Sequence, residues 1–386
     1  MNVEWRFIDE ELERRRKLSR LRRLGVVNVI SPREIEINGR KMLSFASNDY
    51  LGLSKHPMVK KRAVEFIARY GTGATASPLV CGNLSCTEAL ARKIASMKGT
   101  ECALLFPSGF QANVSLFSAL ADRESLIISD RLNHASIVMG ARLARCTVWV
   151  SPHNDYKALR ALLEKASGKY SRVIIVTESV FSMDGDTADV PLLVELAMKY
   201  SALLVVDEAH ATGVMGPEGM GLCTGLPVDV IMGTFSKALG ASGAYVACSR
   251  KMAHYLVNCC GGFIYSTGLS PAIIGAVDAA LDLLPAMGSE REGLLQKARF
   301  LRDRLNFMGF STGSSTTHIV PIIVGDDKEA LDLSGYLMEK GIFALAFRPP
   351  TVPDGTSRIR ISLSSCHTLQ DLEVLLEALD DWKRKT

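Results

Sequence analysis

The chain has 386 residues, of which 47% are hydrophobic and 22% charged, with a formal net charge of +4. That is the composition of a globular protein with ample apolar material for a core, and it excludes a disordered chain, a collagen-like repeat and a disulfide-stapled miniprotein. No apolar run reaches the roughly 20 residues that span a bilayer, and the opening MNVEWRFIDEELERR is acidic without an apolar signal core, so neither a membrane span nor secretion is expected.

The first element in chain order is amphipathic, with Trp5, Ile8, Leu12, Leu18, Leu21 and Leu24 at helical spacing. Residues 14–23 (RRRKLSRLRR) add seven basic side chains, leaving the remainder of the chain slightly negative. A nucleic-acid binder spreads its basic groups over a face and interleaves aromatics, so no nucleic-acid partner is expected. Two readings of the run stand: a solvated helix face, or a fixed cation cluster for a small anionic substrate.

From about 100 to 250, short apolar runs alternate with helical stretches. The runs 101–106, 125–129, 146–150, 172–177, 202–206, 229–233 and 243–248 are continuous rather than alternating, as in strands covered on both faces. They predict a doubly wound α/β domain with a mostly parallel sheet of about seven strands. After Pro271 come a long helical region (271–308), strands near 317–324, 342–346 and 357–363, and a final amphipathic helix, together a smaller α+β domain. The expected division is an N-terminal helix and extension (1–45), a large domain (46–270) and a small C-terminal domain (271–386). Nine cysteines are scattered without a CxxC pair, and the seven histidines do not join them at ligand spacing. No metal site is expected, and reduced thiols in a cytoplasmic setting are the simplest reading.

In open parallel sheets, ligands gather at the carboxyl ends of the strands. ECALLF (101–106) leads into PSGFQAN, a Ser-Gly turn opening a helix, whose N–H groups at Gly109 and Phe110 make a natural phosphate seat. ALLVV (202–206) runs into Asp207-Glu208-Ala209-His210; a carboxylate ending a buried strand needs a donor or a cation. DVIMG (229–233) runs into Thr234-Phe235-Ser236-Lys237, and a partly desolvated lysine flanked by hydroxyls suits imine formation with a carbonyl. Each signal is weak alone, because Ser-Gly turns, strand-end aspartates and core lysines all occur for structural reasons. Together they match the needs of pyridoxal 5′-phosphate: an amine for the imine, a carboxylate for the ring nitrogen and a helix end for the phosphate.

FASNDYLGLSKHP (45–57), the glycine-rich 71–83, FPSGFQAN, DRLNHASI (130–137), ESVFSMDGD (178–186), VVDEAHATG (205–213) and TFSKALG (234–240) resemble the α-oxoamine synthases. These are fold-type I pyridoxal-phosphate transferases that join an amino acid to an acyl thioester with loss of CO2. The resemblance runs from about residue 14 to the C-terminus. FIYSTG (263–268) and FRPPTVPDGTSRIRIS (347–362) resemble the members that use L-alanine and a pimeloyl thioester, carried on CoA or acyl carrier protein. Members that join glycine to acetyl-CoA, and aminotransferases of the same fold, are the alternatives.

The resemblance implies a role for each matching residue. Lys237 would carry the cofactor and act as the proton-transfer base, Asp207 would pair with the ring nitrogen, and His210 would bond the phenolic oxygen. His134 would stack on the ring. Ser182, Thr234, Gly109 and Phe110 would complete the cofactor contacts, with Thr267 reaching in from a second subunit of a homodimer. Arg360 and Asn48 would hold the amino-acid carboxylate. Arg348, Thr351 and Arg22 would address the acyl chain and its carrier. Pro78 and Cys81 depart from the small or hydroxylated residues usual in that loop.

Overall fold

The computed structural model describes residues 5–385, so the expectations for 1–4 and 386 lie outside the described residues. The chain forms two compact units, one of residues 48–182 and 186–293, the other of residues 5–47, 183–185 and 294–385.

The larger unit is built on a seven-stranded sheet. Its strands are β1 (Cys102–Phe106), β2 (Ser125–Asp130), β3 (Thr147–Ser151), β4 (Arg172–Glu178), β5 (Leu203–Asp207), β6 (Val230–Thr234) and β7 (Ala244–Cys248). The order across the sheet is β1-β7-β6-β5-β4-β2-β3. All neighbours run parallel except β7, which is antiparallel to both β1 and β6. The continuous apolar runs are explained by burial: Leu126, Ile127, Ile128, Leu204, Val206, Val230 and Ile231 are fully enclosed. Helix Gly109–Leu120 packs Leu116 and Phe117 into the same core as Ile127, Ile137 and Val246. The helical region after Pro271 breaks into Pro271–Leu283 and Gly288–Phe307 around Pro285. The first of these packs on helix Pro57–Tyr70 so closely that a Cβ on Gly275 would lie 2.6 Å from the Arg62 carbonyl oxygen. That packing places 271–293 with the larger unit.

The smaller unit pairs β8 (Ile319–Gly325) antiparallel with β9 (Ser357–Ser362), flanked by helices Asp327–Glu339 and Leu369–Lys385. A short meander over 28–44 joins it. The N-terminal helix spans only Arg6–Lys17 and stops short of the Leu18–Leu24 continuation expected from spacing. Ser19 turns left-handed at φ 55°, and the Arg20 guanidinium is drawn to Asp327 at 2.8 Å and Asp354 at 2.6 Å. Two carboxylates on other segments thus outweigh the helical periodicity. Among the described residues no single helix is long and apolar enough to cross a membrane.

Candidate active site

The carboxyl ends of β1, β4, β5 and β6 open onto one cavity of about 260 Å³ within the larger unit, lined by Ser108, Gly109, Phe110, Asn113, His134, Ser136, Glu178, Asp207, Ala209, His210, Met232, Thr234, Ser236 and Lys237. Its volume sits near the lower end of small-molecule pockets, which start at about 300 Å³. Each wall follows from local sequence.

After β1, Ser108 caps helix Gly109–Leu120 by accepting from the Gln111 N–H at 3.1 Å. The amides of the first turn have no acceptor within the helix and face a positive dipole end. Thr234 and Ser236 bring hydroxyls 2.8 Å apart at the end of β6. Lys237 follows on a tight turn closed by Gly240, whose N–H donates to the Lys237 carbonyl at 2.9 Å and whose φ is 63°.

Asp207 ends β5 and is 5% exposed. Its carboxylate accepts from the Asn113 amide at 2.8 Å and from the Ala209 N–H at 2.8 Å. Asn113 also donates to Ser136 Oγ at 3.0 Å, and Ser136 lies 2.7 Å from His134 Nδ1, so a hydrogen-bonded chain joins His134 to Asp207. Burial holds the His134 imidazole below its usual pKa; Asp207 opposes that shift and Lys237 reinforces it. The histidine therefore faces the cavity neutral. On the neighbouring strand, Glu178 pairs in register with Asp207 and accepts from the His134 N–H at 2.5 Å. Burial, then the Asp207 charge, pushes the Glu178 carboxyl well above the usual carboxylate range, partly offset by Lys237 and the His134 amide. Two carboxyls share one desolvated floor, and burial together with the neighbouring charge favours the protonated form of the glutamate.

Behind this floor, Glu208 and Lys98 form a fully buried ion pair. Burial lowers the Lys98 pKa, and the Glu208 charge more than reverses it. Glu208 also accepts from the Cys223 N–H at 2.8 Å, fixing the turn that follows Asp207.

Seven expected residues thus meet in one cavity: Gly109, Phe110, His134, Asp207, His210, Thr234 and Lys237. Asn48 is outside the lining but connected to it, since the buried Tyr50 hydroxyl lies 3.1 Å from Asn48 Oδ1 and 2.6 Å from His210 Nδ1. Ser182 is buried but not among the lining residues, and Thr267 is exposed. The remaining four belong to the smaller unit. Arg360 is 4% exposed on β9, with a nitrogen 2.6 Å from Ser362 Oγ. Arg22 donates to Thr351 Oγ1 at 3.2 Å, and Arg348 to the Ser19 carbonyl.

Sequence reasoning missed Asn113, Ser136, Glu178 and Tyr50, although each stands inside a motif it used. The signal for Asn113 is its place four residues after Gly109, one helical turn on and on the same side. For Glu178 it is the strand-end position one strand over from Asp207.

The donor set fits pyridoxal phosphate: helix amides and hydroxyls for a phosphate, an acceptor carboxylate for a ring nitrogen and a lysine amine for a carbonyl. A family profile described as "Aminotransferase class I and II" matches residues 40–379. The chain belongs to that family. Within it, a protein of Desulfosudis oleivorans provisionally named 8-amino-7-oxononanoate synthase is 55% identical, covering 98% of each chain. The 8-amino-7-oxononanoate synthase of Gluconacetobacter diazotrophicus is 46% identical over 96% of this chain and 95% of its own. The solved serine palmitoyltransferase of Sphingomonas wittichii superposes with a TM-score of 0.92 at 28% identity, covering 100% of this chain and 99% of that one. The chain is therefore a fold-type I, pyridoxal-phosphate-dependent α-oxoamine synthase.

Proposed function

We propose that the chain condenses L-alanine with a pimeloyl thioester, carried on CoA or acyl carrier protein, to give 8-amino-7-oxononanoate, CO2 and the free thiol carrier, a step of biotin synthesis. The observation that carries this reading is the convergence of Lys237 and Asp207 on one desolvated cavity. Substrate choice is supported by the identities of 55% and 46% to relatives of that name, against 28% to a serine palmitoyltransferase.

Bound pyridoxal phosphate supplies an electron sink for the carbanion formed when the amino acid loses its α-proton. The chain supplies the rest. Lys237 would hold the cofactor through its amine, and the same amine would serve as the base that takes the amino acid's α-proton and returns one. Asp207, kept in place by Asn113 and the Ala209 N–H, would be the acceptor for the ring nitrogen. His210 would bond the phenolic oxygen, and the neutral His134 would stack on the ring. The N–H groups of Gly109 and Phe110, with the Thr234 hydroxyl, take the phosphate. Ser182 completes the phenolate side.

Arg360 and Asn48 hold the alanine carboxylate through charge-assisted hydrogen bonds. Arg348, Thr351 and Arg22, already in mutual reach around Ser19, address the acyl chain and its anionic carrier. In the larger unit Leu79, Val80, Phe110 and Tyr265 are 53%, 77%, 51% and 87% exposed. We read them as covered by a second copy of the chain, whose Thr267 completes the phosphate site. All nine cysteines are free, in keeping with a cytoplasmic setting.

The test is a panel of acetyl-, pimeloyl- and palmitoyl-CoA with alanine, glycine and serine, following CO2 and thiol release. Highest kcat/KM for alanine with pimeloyl-CoA supports the reading. Preference for glycine with acetyl-CoA would make the chain a glycine C-acetyltransferase, and preference for serine with palmitoyl-CoA a serine palmitoyltransferase. Amino-group transfer to a keto acid without CO2 release would make it an aminotransferase.

A further inference from the structure

Helix Ala135–Leu143 begins on a histidine. His134 Nδ1 takes the Ser136 N–H at 3.2 Å, in the place where Ser, Thr, Asp or Asn usually offers an oxygen. A backbone amide can only donate, so Nδ1 is an acceptor, and the neutral imidazole carries its hydrogen on Nε2. The Ser136 hydroxyl meets the same nitrogen at 2.7 Å and does so as a donor, because Nδ1 has no hydrogen to give.

The Ser136 oxygen in turn accepts from the Asn113 amide at 3.0 Å. The other hydrogen of that amide goes to Asp207 Oδ2 at 2.8 Å, while the Ala209 N–H serves Oδ1. Every hydrogen in the chain is thus assigned, and all of them point outward from Asn113. Asn113, Ser136 and Asp207 are buried, so water does not compete for these bonds. A close approach of two helices makes the chain possible: a Cβ on Gly140 would lie 2.5 Å from the Asn113 carbonyl oxygen. We propose that Asn113 and Ser136 are positioning residues: one amide holds the Asp207 carboxylate with one hydrogen and, through the Ser136 hydroxyl, the His134 ring with the other. The imidazole then keeps its single hydrogen on Nε2. This rests on the reading that Asp207 and His134 hold the cofactor ring, one at its nitrogen and the other on its face. A single buried side chain sets both.

The 15N shifts of His134, read with and without pyridoxal phosphate, give the tautomer: hydrogen on Nε2 supports the proposal and hydrogen on Nδ1 ends it. Ser136→Ala removes the hydroxyl and leaves the backbone N–H, so the Nδ1 resonance should move toward that of an unbonded imine nitrogen; an unmoved resonance overturns the proposal. Turnover should fall by about fivefold, the size of one net hydrogen bond. In a His134→Ala background the same substitution should add less than about twofold, because Ser136 acts through that imidazole. A full-sized effect there also overturns it. Asn113→Leu, close in size but without hydrogens to give, should lower turnover by about tenfold to a hundredfold, because it strips a donor from a charged carboxylate as well. A loss no greater than that of Ser136→Ala counts against the shared amide. Should either variant not accumulate, the shifts of the unmodified protein decide. Those shifts use no substrate, so a failed alanine–pimeloyl assay would overturn the substrate reading and leave this one standing.

Discussion

The two units bury opposite kinds of charge. The larger encloses the carboxyls of Glu178, Asp186, Asp207 and Glu208, with Lys98 as the buried base; the smaller encloses the guanidiniums of Arg358 and Arg360 on one face of β9, with Asp371 as the buried acid. Burying a charge is costly without a partner or a ligand that repays the lost water. Most of these groups have partners inside the protein: Glu208 has Lys98, Asp186 has His153, and Arg358 has Asp184 at 2.7 Å. Asp207 accepts from Asn113 and the Ala209 N–H, Glu178 accepts from the His134 N–H, and Arg360 bonds Ser362 Oγ. The contrast is one of sign: under the proposed function, the carboxylate-rich unit would meet the cationic ring and amine, and the guanidinium-bearing unit the substrate carboxylate.

The largest effect should come from the chemical side. Lys237→Ala is expected to lower turnover by about 10⁴-fold or more, and borohydride should no longer fix pyridoxal phosphate to the chain. A variant that retains covalent cofactor would break the division outright. Next comes the recognition side. Arg360→Ala removes a charge-assisted contact worth about 1.5–3 kcal/mol, so KM for the amino acid should rise by about tenfold to a hundredfold with a smaller change in kcat. A fall in kcat at constant KM would place Arg360 with the chemistry instead.

Glu178 sharpens the contrast within the larger unit. Because it is the carboxyl held well above the usual range, Glu178→Gln replaces a protonated acid by its isostere and should cost less than about tenfold in kcat/KM. Glu178→Ala strands the His134 N–H, which 2.5 Å now separates from its acceptor, and should cost about 1–3 kcal/mol of stability by urea unfolding. Equal damage from both substitutions would show that the charge, not the acceptor, matters.

How much of this was readable beforehand depends on whether the deciding partner is near in sequence. All seven strands of the main sheet are visible as apolar runs, since burial on both faces imposes a local composition. Gly109, Asp207 and Lys237 are visible because a parallel sheet delivers every strand end to one edge. What was hidden has distant partners. The early end of the first helix is set by Asp327 and Asp354, more than 300 positions away. Glu178 draws its place from its register with Asp207 and from the His134 N–H, 44 positions away, and Tyr50 lies against His210, 160 positions on.

The finest test uses one side chain in both units. In the larger, His153 lies between Asp130 at 3.0 Å and Asp186 at 2.8 Å, with both ring nitrogens facing carboxylates and the Phe181 ring at its side. Burial lowers its pKa, but the hydrogen bonds and charges of the two aspartates raise it to about 10. In the smaller, His367 stacks on Phe45, accepts from the Ser364 N–H at 2.9 Å and donates to the Ser44 carbonyl at 2.9 Å, an arrangement only the neutral ring can make. Burial is the main cause that takes it down to about 4, with nearby Lys297 acting in the same direction and Asp371 against it. Linkage gives the two histidines opposite signs. The stability His153 adds is complete below about pH 6.5, the unfolded value, and is lost as pH rises through about 10. That of His367 is complete above about pH 6.5 and is lost as pH falls through about 4. Urea midpoints of His153→Gln and His367→Gln, followed from acid to alkaline pH against the unmodified protein, should therefore diverge. The first penalty fades toward high pH and the second toward low pH, each amounting to about 1–2 kcal/mol at its greatest. Parallel curves would mean that the two units treat the same imidazole alike, and the contrast in buried charge would then have no consequence for how the protein holds a proton.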